Sequence, residues 1–195
     1  RLIEIGSNDG TFLSNFQNTG IEFVGFEPSS NVAEKANKKN IRTINNFFNS
    51  NNISNLSKFI KKTKVICAAN VICHIPNLNE LISTIDKLLI ADGVFIFEEP
   101  YLGSMFEKTS YDQIYDEHIY MFSGHSIKKI FNLYNFDLID LKPQITHGGS
   151  MRYIIARKGK YEIKSSVNQI LSEEKKLELD NLNSCLKFKK QCELS

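Results

Sequence analysis

The amino-acid sequence predicts an α/β domain built on a doubly wound sheet, mostly parallel, with an antiparallel hairpin at one edge. Two observations carry this. Five short apolar runs alternate with amphipathic stretches over residues 1–97, the pattern of βαβ units with right-handed crossovers. Two further strand-like runs, Phe136–Leu141 and Met151–Arg157, follow one another with no helix of equal length between them, which fits a hairpin.

Each element has its own signal. Leu2-Ile3-Glu4-Ile5 is an apolar run ending in a glycine turn, and Thr11 to about Asn18 is amphipathic. Ile21–Phe26 is a second strand closed by Glu27-Pro28, after which Ser29-Ser30-Asn31 offers N-cap chemistry for a helix over Val32–Lys39. Arg42–Ile44 reads as a third strand, the Asn-rich stretch 45–57 as a loop, and Leu56–Lys61 as a short helix. Val65–Ala69 is unbroken apolar sequence, suited to burial on both faces. Leu81, Ile82, Ile85, Leu88 and Leu89 give helical spacing over Asn79–Leu89. Ala91-Asp92-Gly93 reads as a turn into the strand Val94–Phe97, residues 99–125 as a long loop, and Ser126–Tyr134 as a helix. From Glu162 the sequence turns Lys/Glu-rich and helical, so residues 1–158 form one domain and 159–195 the helical start of another.

With 195 residues and a formal net charge of +2, nothing points to nucleic acid. No apolar run approaches the roughly 20 residues that span a bilayer, so no membrane partner is expected. The four cysteines, at 67, 73, 185 and 192, form no CxxC pair. They read as reduced thiols of a cytoplasmic protein, with no metal site. Arg1 opens directly onto an apolar strand with no initiator Met, so a fragment of a longer protein is expected. The oligomeric state stays open.

In such sheets ligands sit beyond the carboxyl ends of the strands at the switch point. After the first strand comes Gly6-Ser7-Asn8-Asp9-Gly10, a sharp turn lacking the full GxGxxG and unlike a phosphate-cradling GxxxxGK[ST]. Glu4 and Asp9 would repel a pyrophosphate but attract a ligand carrying ammonium and sulfonium charges. That favours S-adenosylmethionine over NAD. Glu27, followed by Pro28, ends the second strand where a carboxylate can accept both ribose hydroxyls. Phe47 or Phe48, after the third strand, are candidates to stack on adenine, and equally candidates for the core. Asn70 ends the fourth strand, where its amide can hold the methionine portion. The whole matches the class I S-adenosylmethionine-dependent methyltransferase sheet, a Rossmann-like arrangement.

Three further features exceed what cofactor binding needs: His74 before Ile75-Pro76, Tyr115-Asp116-Glu117-His118, and Thr146-His147-Gly148-Gly149-Ser150. Together with Glu4–Leu13, Gly25–Ala33, Asn46-Phe47-Phe48, Ala69–Pro76 and Met151-Arg152, they resemble the sugar C-methyltransferases of deoxysugar biosynthesis, in order over about residues 1–160. The resemblance implies an enzyme that methylates a nucleotide-linked, typically dTDP-linked, 4-keto deoxysugar at C3. A ketone at C4 acidifies that carbon. By resemblance His118 is the general base, an imidazole of ordinary pKa about 6.5, forming an enolate that attacks the cofactor methyl. Tyr115 and His74 orient the sugar or stabilise the enolate oxygen. Glu117 orients His118 or a sugar hydroxyl, and His147, Gly148 and Ser150 contact substrate. His125 reads as structural.

Family members carry an upstream cysteine-rich zinc-binding domain and a larger C-terminal domain, so this segment alone is expected to bind cofactor weakly and methylate poorly. Two other readings fit the same residues: a small-molecule O- or N-methyltransferase of this fold, and a catalytically silent cofactor-binding fragment.

Overall fold

A computed structural model describes residues 1–54 and 56–195. Its strands are β1 (Leu2–Ile5), β2 (Phe23–Phe26), β3 (Thr43–Ile44), β4 (Thr63–Ala69), β5 (Leu89–Pro100), β6 (Phe136–Gln144) and β7 (Ser150–Arg157). They hydrogen-bond in the order β3-β2-β1-β4-β5-β7-β6. The chain divides into two compact units, residues 1–71 with 77–97, and residues 72–76 with 98–195.

In the first unit β1 runs parallel to both β2 and β4, with Leu2 opposite Phe23 on one side and Val65 on the other. β2 runs parallel to β3. The chain thus leaves β1 on one side, winds to β3, and returns to β4 on the other, which makes β1 the switch point. Leu2, Leu13, Ala36 and Ile41 form a buried cluster against which Phe16, Phe23, Val65 and Cys67 pack. Helix α1 (Thr11–Ser14) supplies Leu13, and α2 (Ser30–Lys38) supplies Ala33 and Ala36. Helix α3 (Leu78–Leu88) buries Leu81, Ile82, Ile85 and Leu88, and Asn77 caps it by accepting the Glu80 N–H at 3.0 Å. Each such fully buried aliphatic chain stabilises the fold by about 2 kcal/mol.

Four local expectations differ from what forms here. The helix predicted over Thr11–Asn18 stops at Ser14, because the Asn15 amide donates to the Thr11 and Phe12 carbonyls and the chain turns left-handed at Asn18. Leu56–Lys61 is a run of turns closed by a left-handed Lys61 rather than a helix. Of the predicted loop 45–57, position 55 lies outside the described residues. Ala91-Asp92-Gly93 belongs to β5. A side chain at Gly93 would meet the Thr63 carbonyl at 3.1 Å, so the glycine there serves close strand approach. The N-cap of α2 falls at Ser29 as expected, but its hydroxyl donates to Asn31 and not to the helix backbone.

In the second unit β6 and β7 form the predicted antiparallel hairpin, Phe136 opposite Arg157 and Gln144 opposite Ser150. The expected loop 99–125 contains a helix, α4 (Leu102–Lys108), and a 3₁₀ turn at Tyr111–Gln113. Helix α5 (Gly124–Asn132) begins in a capping box between Ser123 and Ser126. Helix α6 (Ser165–Lys176) buries Val167 and Ile170, and α7 (Leu182–Leu194) buries Phe188. Among the described residues no helix is long and apolar enough to cross a membrane.

Candidate functional site

The sequence-predicted residues fall into two sets, one within each unit. In the first unit, Gly6 and Gly10 hold φ of +68° and +80°, the left-handed region that side chains rarely adopt. A Cβ on Gly6 would collide with Val71, and one on Gly10 would lie 2.8 Å from Ile41. These glycines are therefore required by the turn and by packing, and a ligand's approach is not what demands them. Asp9 is committed locally. Its carboxylate accepts the Thr11 N–H and hydroxyl and pairs with Lys39 at 2.7 Å. Those contacts, Lys39 foremost, hold its exposed carboxyl at about 2.

Glu27 joins the turns that follow β1 and β2. It accepts the Asn8 N–H at 3.1 Å on one oxygen and the Ser29 N–H at 2.8 Å on the other. Each oxygen keeps a second lone pair, so the carboxylate can still take a pair of hydroxyls. The Asn45 amide donates to the Glu27 and Pro28 carbonyls and fixes the bend that Pro28 begins. The Ser7 hydroxyl is buried without a hydrogen-bond partner, in the space left by the absent side chain of Gly25. Phe48 is core, edge-on to Phe26 with ring centroids 5.2 Å apart. Phe47 is 68% exposed and available for stacking. Asn70 holds a left-handed conformation directly after β4.

Glu4 lies in β1 with Gly25 and Cys67 as register partners. Its Oε2 is buried without a hydrogen bond, and burial pushes the carboxyl up to about 8. A carboxylate placed so is relieved by a cation beside it. This set offers an unmatched acid, a diol-sized carboxylate and an exposed aromatic ring at successive strand ends, and it fits a cationic nucleoside ligand.

In the second unit the imidazoles are oriented by backbone. His118 Nδ1 lies 2.7 Å from the Gln113 carbonyl, and His74 Nδ1 lies 2.7 Å from the Glu117 carbonyl. A carbonyl only accepts, so both neutral rings carry their proton on Nδ1 and present Nε2 as the basic nitrogen. The Tyr115 hydroxyl then donates to His118 Nε2 at 2.8 Å. The rings of Tyr115 and His118 lie 4.0 Å apart, and those of His74 and His118 5.0 Å apart. Partial desolvation, with Cys73 and Glu117 nearby, raises the Tyr115 phenol above its ordinary range, so it stays a proton donor. Glu117 reaches this cluster through its carbonyl; its side chain is exposed.

The His147 segment is built differently. His147 and Gly148 are exposed and left-handed, and Lys108 donates to the Gly148 carbonyl. Ser150 is buried, with its hydroxyl donating to the Thr146 carbonyl at 3.2 Å. Thr146 in turn donates to Glu98, which also pairs with Arg152 at 2.8 Å. His147, Gly148 and Gln113 border a cavity of about 10 Å³, room for one water and far less than a sugar.

Three further residues of this cluster escape sequence reasoning. Gln113 acts through its carbonyl, so its side-chain identity carries no signal. Cys73 is buried beside His74, and burial together with the Glu99 carboxylate raises its thiol well above the ordinary range. Glu99 is buried and accepts the Ile72 N–H at 2.6 Å. The acidic pair Glu98-Glu99 closing an apolar strand was the one available hint. His125, read from the sequence as structural, has Nδ1 2.8 Å from buried Glu174.

Comparison with known proteins bears on both units. A family described as a methyltransferase domain matches residues 1–141, and one described as a C-methyltransferase C-terminal domain matches residues 145–194. The C-methyltransferase NovU of Streptomyces niveus is 29% identical over 175 residues, 89% of this chain and 42% of that protein. The chain thus spans about two fifths of that relative's length. Among solved structures, a SAM-dependent methyltransferase from Archaeoglobus fulgidus aligns at TM-score 0.61 and 15% identity, covering 80% of this chain and 85% of that one. Magnesium protoporphyrin IX methyltransferase from Synechocystis, solved with SAH, aligns at 0.56 and 17%, covering 80% and 74%. At such identities the structural likeness concerns the fold.

Proposed function

Because the chain belongs to the methyltransferase domain family, we propose that it serves a S-adenosylmethionine-dependent C-methyltransferase acting on a nucleotide-linked 4-keto deoxysugar. The observation that carries the reading is the tautomer imposed on His118: Nδ1–H is tied to Gln113, leaving a basic Nε2 under the Tyr115 hydroxyl. The match of residues 145–194 to a C-methyltransferase domain and the likeness to NovU support carbon as the methylated atom.

Glu4 would face the ammonium of the cofactor, Glu27 its ribose hydroxyls, Phe47 its adenine and Asn70 its methionine portion. When bound, S-adenosylmethionine supplies an electrophilic methyl group. The protein's own task is to make the sugar carbon nucleophilic. Tyr115, half-exposed and meeting His118 through its ring and hydroxyl, turns its O–H from His118 to the sugar's ketone oxygen. That one motion gives the developing enolate a hydrogen-bond donor and frees Nε2 to take the carbon-bound proton. His74, fixed by the Glu117 carbonyl, orients the sugar beside it. His147, Gly148 and Ser150 shape the substrate side of the second unit.

The test is methyl transfer from labelled cofactor to a dTDP-linked 4-keto-6-deoxysugar, with the methylated atom located by NMR. His118→Asn should lower kcat about 10²- to 10⁴-fold and Tyr115→Phe about 10²-fold, both with cofactor affinity unchanged. Methylation on oxygen, or full turnover by His118→Asn, would refute the reading.

A further inference from the structure

Beside the base lies a set of groups that proton transfer does not use. The Cys73 sulfur and one ring nitrogen each from His74 and His118 all lie within 4.8 Å of one another. Both imidazoles donate Nδ1–H to a backbone carbonyl at 2.7 Å. This outer contact orients the ring and raises the basicity of the opposite nitrogen, as it does for histidines that ligate metals. Cys73 and His74 come from the 3₁₀ turn Ile72–His74, whose first N–H is anchored on buried Glu99. Two of the three donors are therefore held by one short rigid segment.

We propose that Cys73 Sγ, His74 Nε2 and His118 Nε2 bind one zinc ion, leaving its fourth position open. One thiolate and two imidazoles form a donor set suited to this borderline-soft ion, and three protein ligands with an open position is a known zinc arrangement. On binding, the Cys73 thiol gives up its proton to solvent as the sulfur–zinc bond forms. The Tyr115 hydrogen bond to His118 Nε2 breaks as that nitrogen becomes a ligand. The negative field of Glu99, unfavourable for an isolated thiolate, favours the cation. Zinc and the sugar proton would then compete for the same lone pair, so zinc shuts the reaction off. That last consequence rests on His118 being the base; the metal site does not.

Cobalt(II), which reports thiolate ligation by a charge-transfer band in the near ultraviolet, tests the site without any substrate. The protein should bind one cobalt ion with such a band, and zinc should displace it. Cys73→Ser should lose the band. His74→Gln, which leaves the buried thiol in place, should weaken cobalt binding at least about tenfold. Tyr115→Phe should tighten it about fivefold by removing a competing hydrogen bond. No band in the unaltered protein overturns the proposal. So does a band that survives Cys73→Ser, which would assign it to Cys67, Cys185 or Cys192, or undiminished affinity in His74→Gln. If cobalt binds as described while stoichiometric zinc leaves methyl transfer intact, the metal site stands and the role of His118 as base fails.

Discussion

Glu4→Gln separates a carboxyl that waits for a cation from one that merely completes a strand. The Glu4 carboxyl titrates near 8, against 4.5 in the unfolded chain, because burial leaves Oε2 without a donor. A carboxyl raised in this way favours folding fully below about pH 4.5 and loses that contribution as pH rises through about 8. Each factor of ten in proton affinity is about 1.36 kcal/mol, which sets a ceiling of about 5 kcal/mol. The side chain is only part-buried, and solvent screening cuts this to about 2 kcal/mol. Urea denaturation at pH 4, 6 and 8.5 should therefore show the unaltered protein losing about 2 kcal/mol relative to Glu4→Gln across that window. Saturating S-adenosylmethionine should restore most of the loss to the unaltered protein, since its ammonium compensates the ionised carboxylate, and much less to the variant. Parallel stabilities of the two proteins at all three pH values would refute the reasoning.

Glu174 sits at the opposite extreme: buried, it accepts from the Gly124 and His125 N–H groups, the Tyr101 hydroxyl and the His125 ring. Glu174→Ala should destabilise the fold by about 3 kcal/mol, and thermal denaturation should show Tm lower by about 6–12 °C; a shift under about 2 °C would mean these contacts do not hold α6 on α5. Phe47→Ala should weaken S-adenosylmethionine binding about tenfold by calorimetry while leaving Tm unchanged, whereas an unchanged affinity would remove Phe47 from the cofactor site.

Much of this fold is readable from the sequence because β1, β2, β4 and the hairpin are apolar runs whose burial is decided locally. What stayed hidden depends on contacts made at a distance. Helix α4 was masked by Gly103, a poor helix residue on propensity, which the structure accepts because the Tyr101 ring packs against it where a side chain would clash. The end of α1 is set by one amide, that of Asn15, recapturing the Thr11 and Phe12 carbonyls. In the site, residue types announced themselves but roles did not. The sequence contains His118 and Tyr115; only the Gln113 carbonyl says which nitrogen is basic. Asp9 and Glu4 looked equivalent as acids near a glycine turn, yet Lys39 neutralises one while burial isolates the other. Cysteine spacing could not reveal the Cys73 cluster either, since its third member arrives from a distant loop.

These cases share a physical criterion. A buried polar group must satisfy its hydrogen-bonding capacity, so capacity left over after the protein's own contacts marks where a ligand is owed. Glu174, with donors on both oxygens, has little left and is structural. Glu27 uses one lone pair on each oxygen to lock two turns and keeps the rest, which leaves a scaffold carboxylate with capacity to accept further hydrogen bonds. Glu4 leaves a buried oxygen entirely unmet. The imidazoles sort the same way: His125 gives Nδ1 to a buried carboxylate, a contact that explains its presence. His74 and His118 give Nδ1 to backbone carbonyls, their rings lie 5.0 Å apart, and His118 Nε2 meets the Tyr115 hydroxyl. Two basic nitrogens and a thiol gathered there are more than folding needs, and both a carbon acid and a metal ion are chemistry that such a surplus can serve.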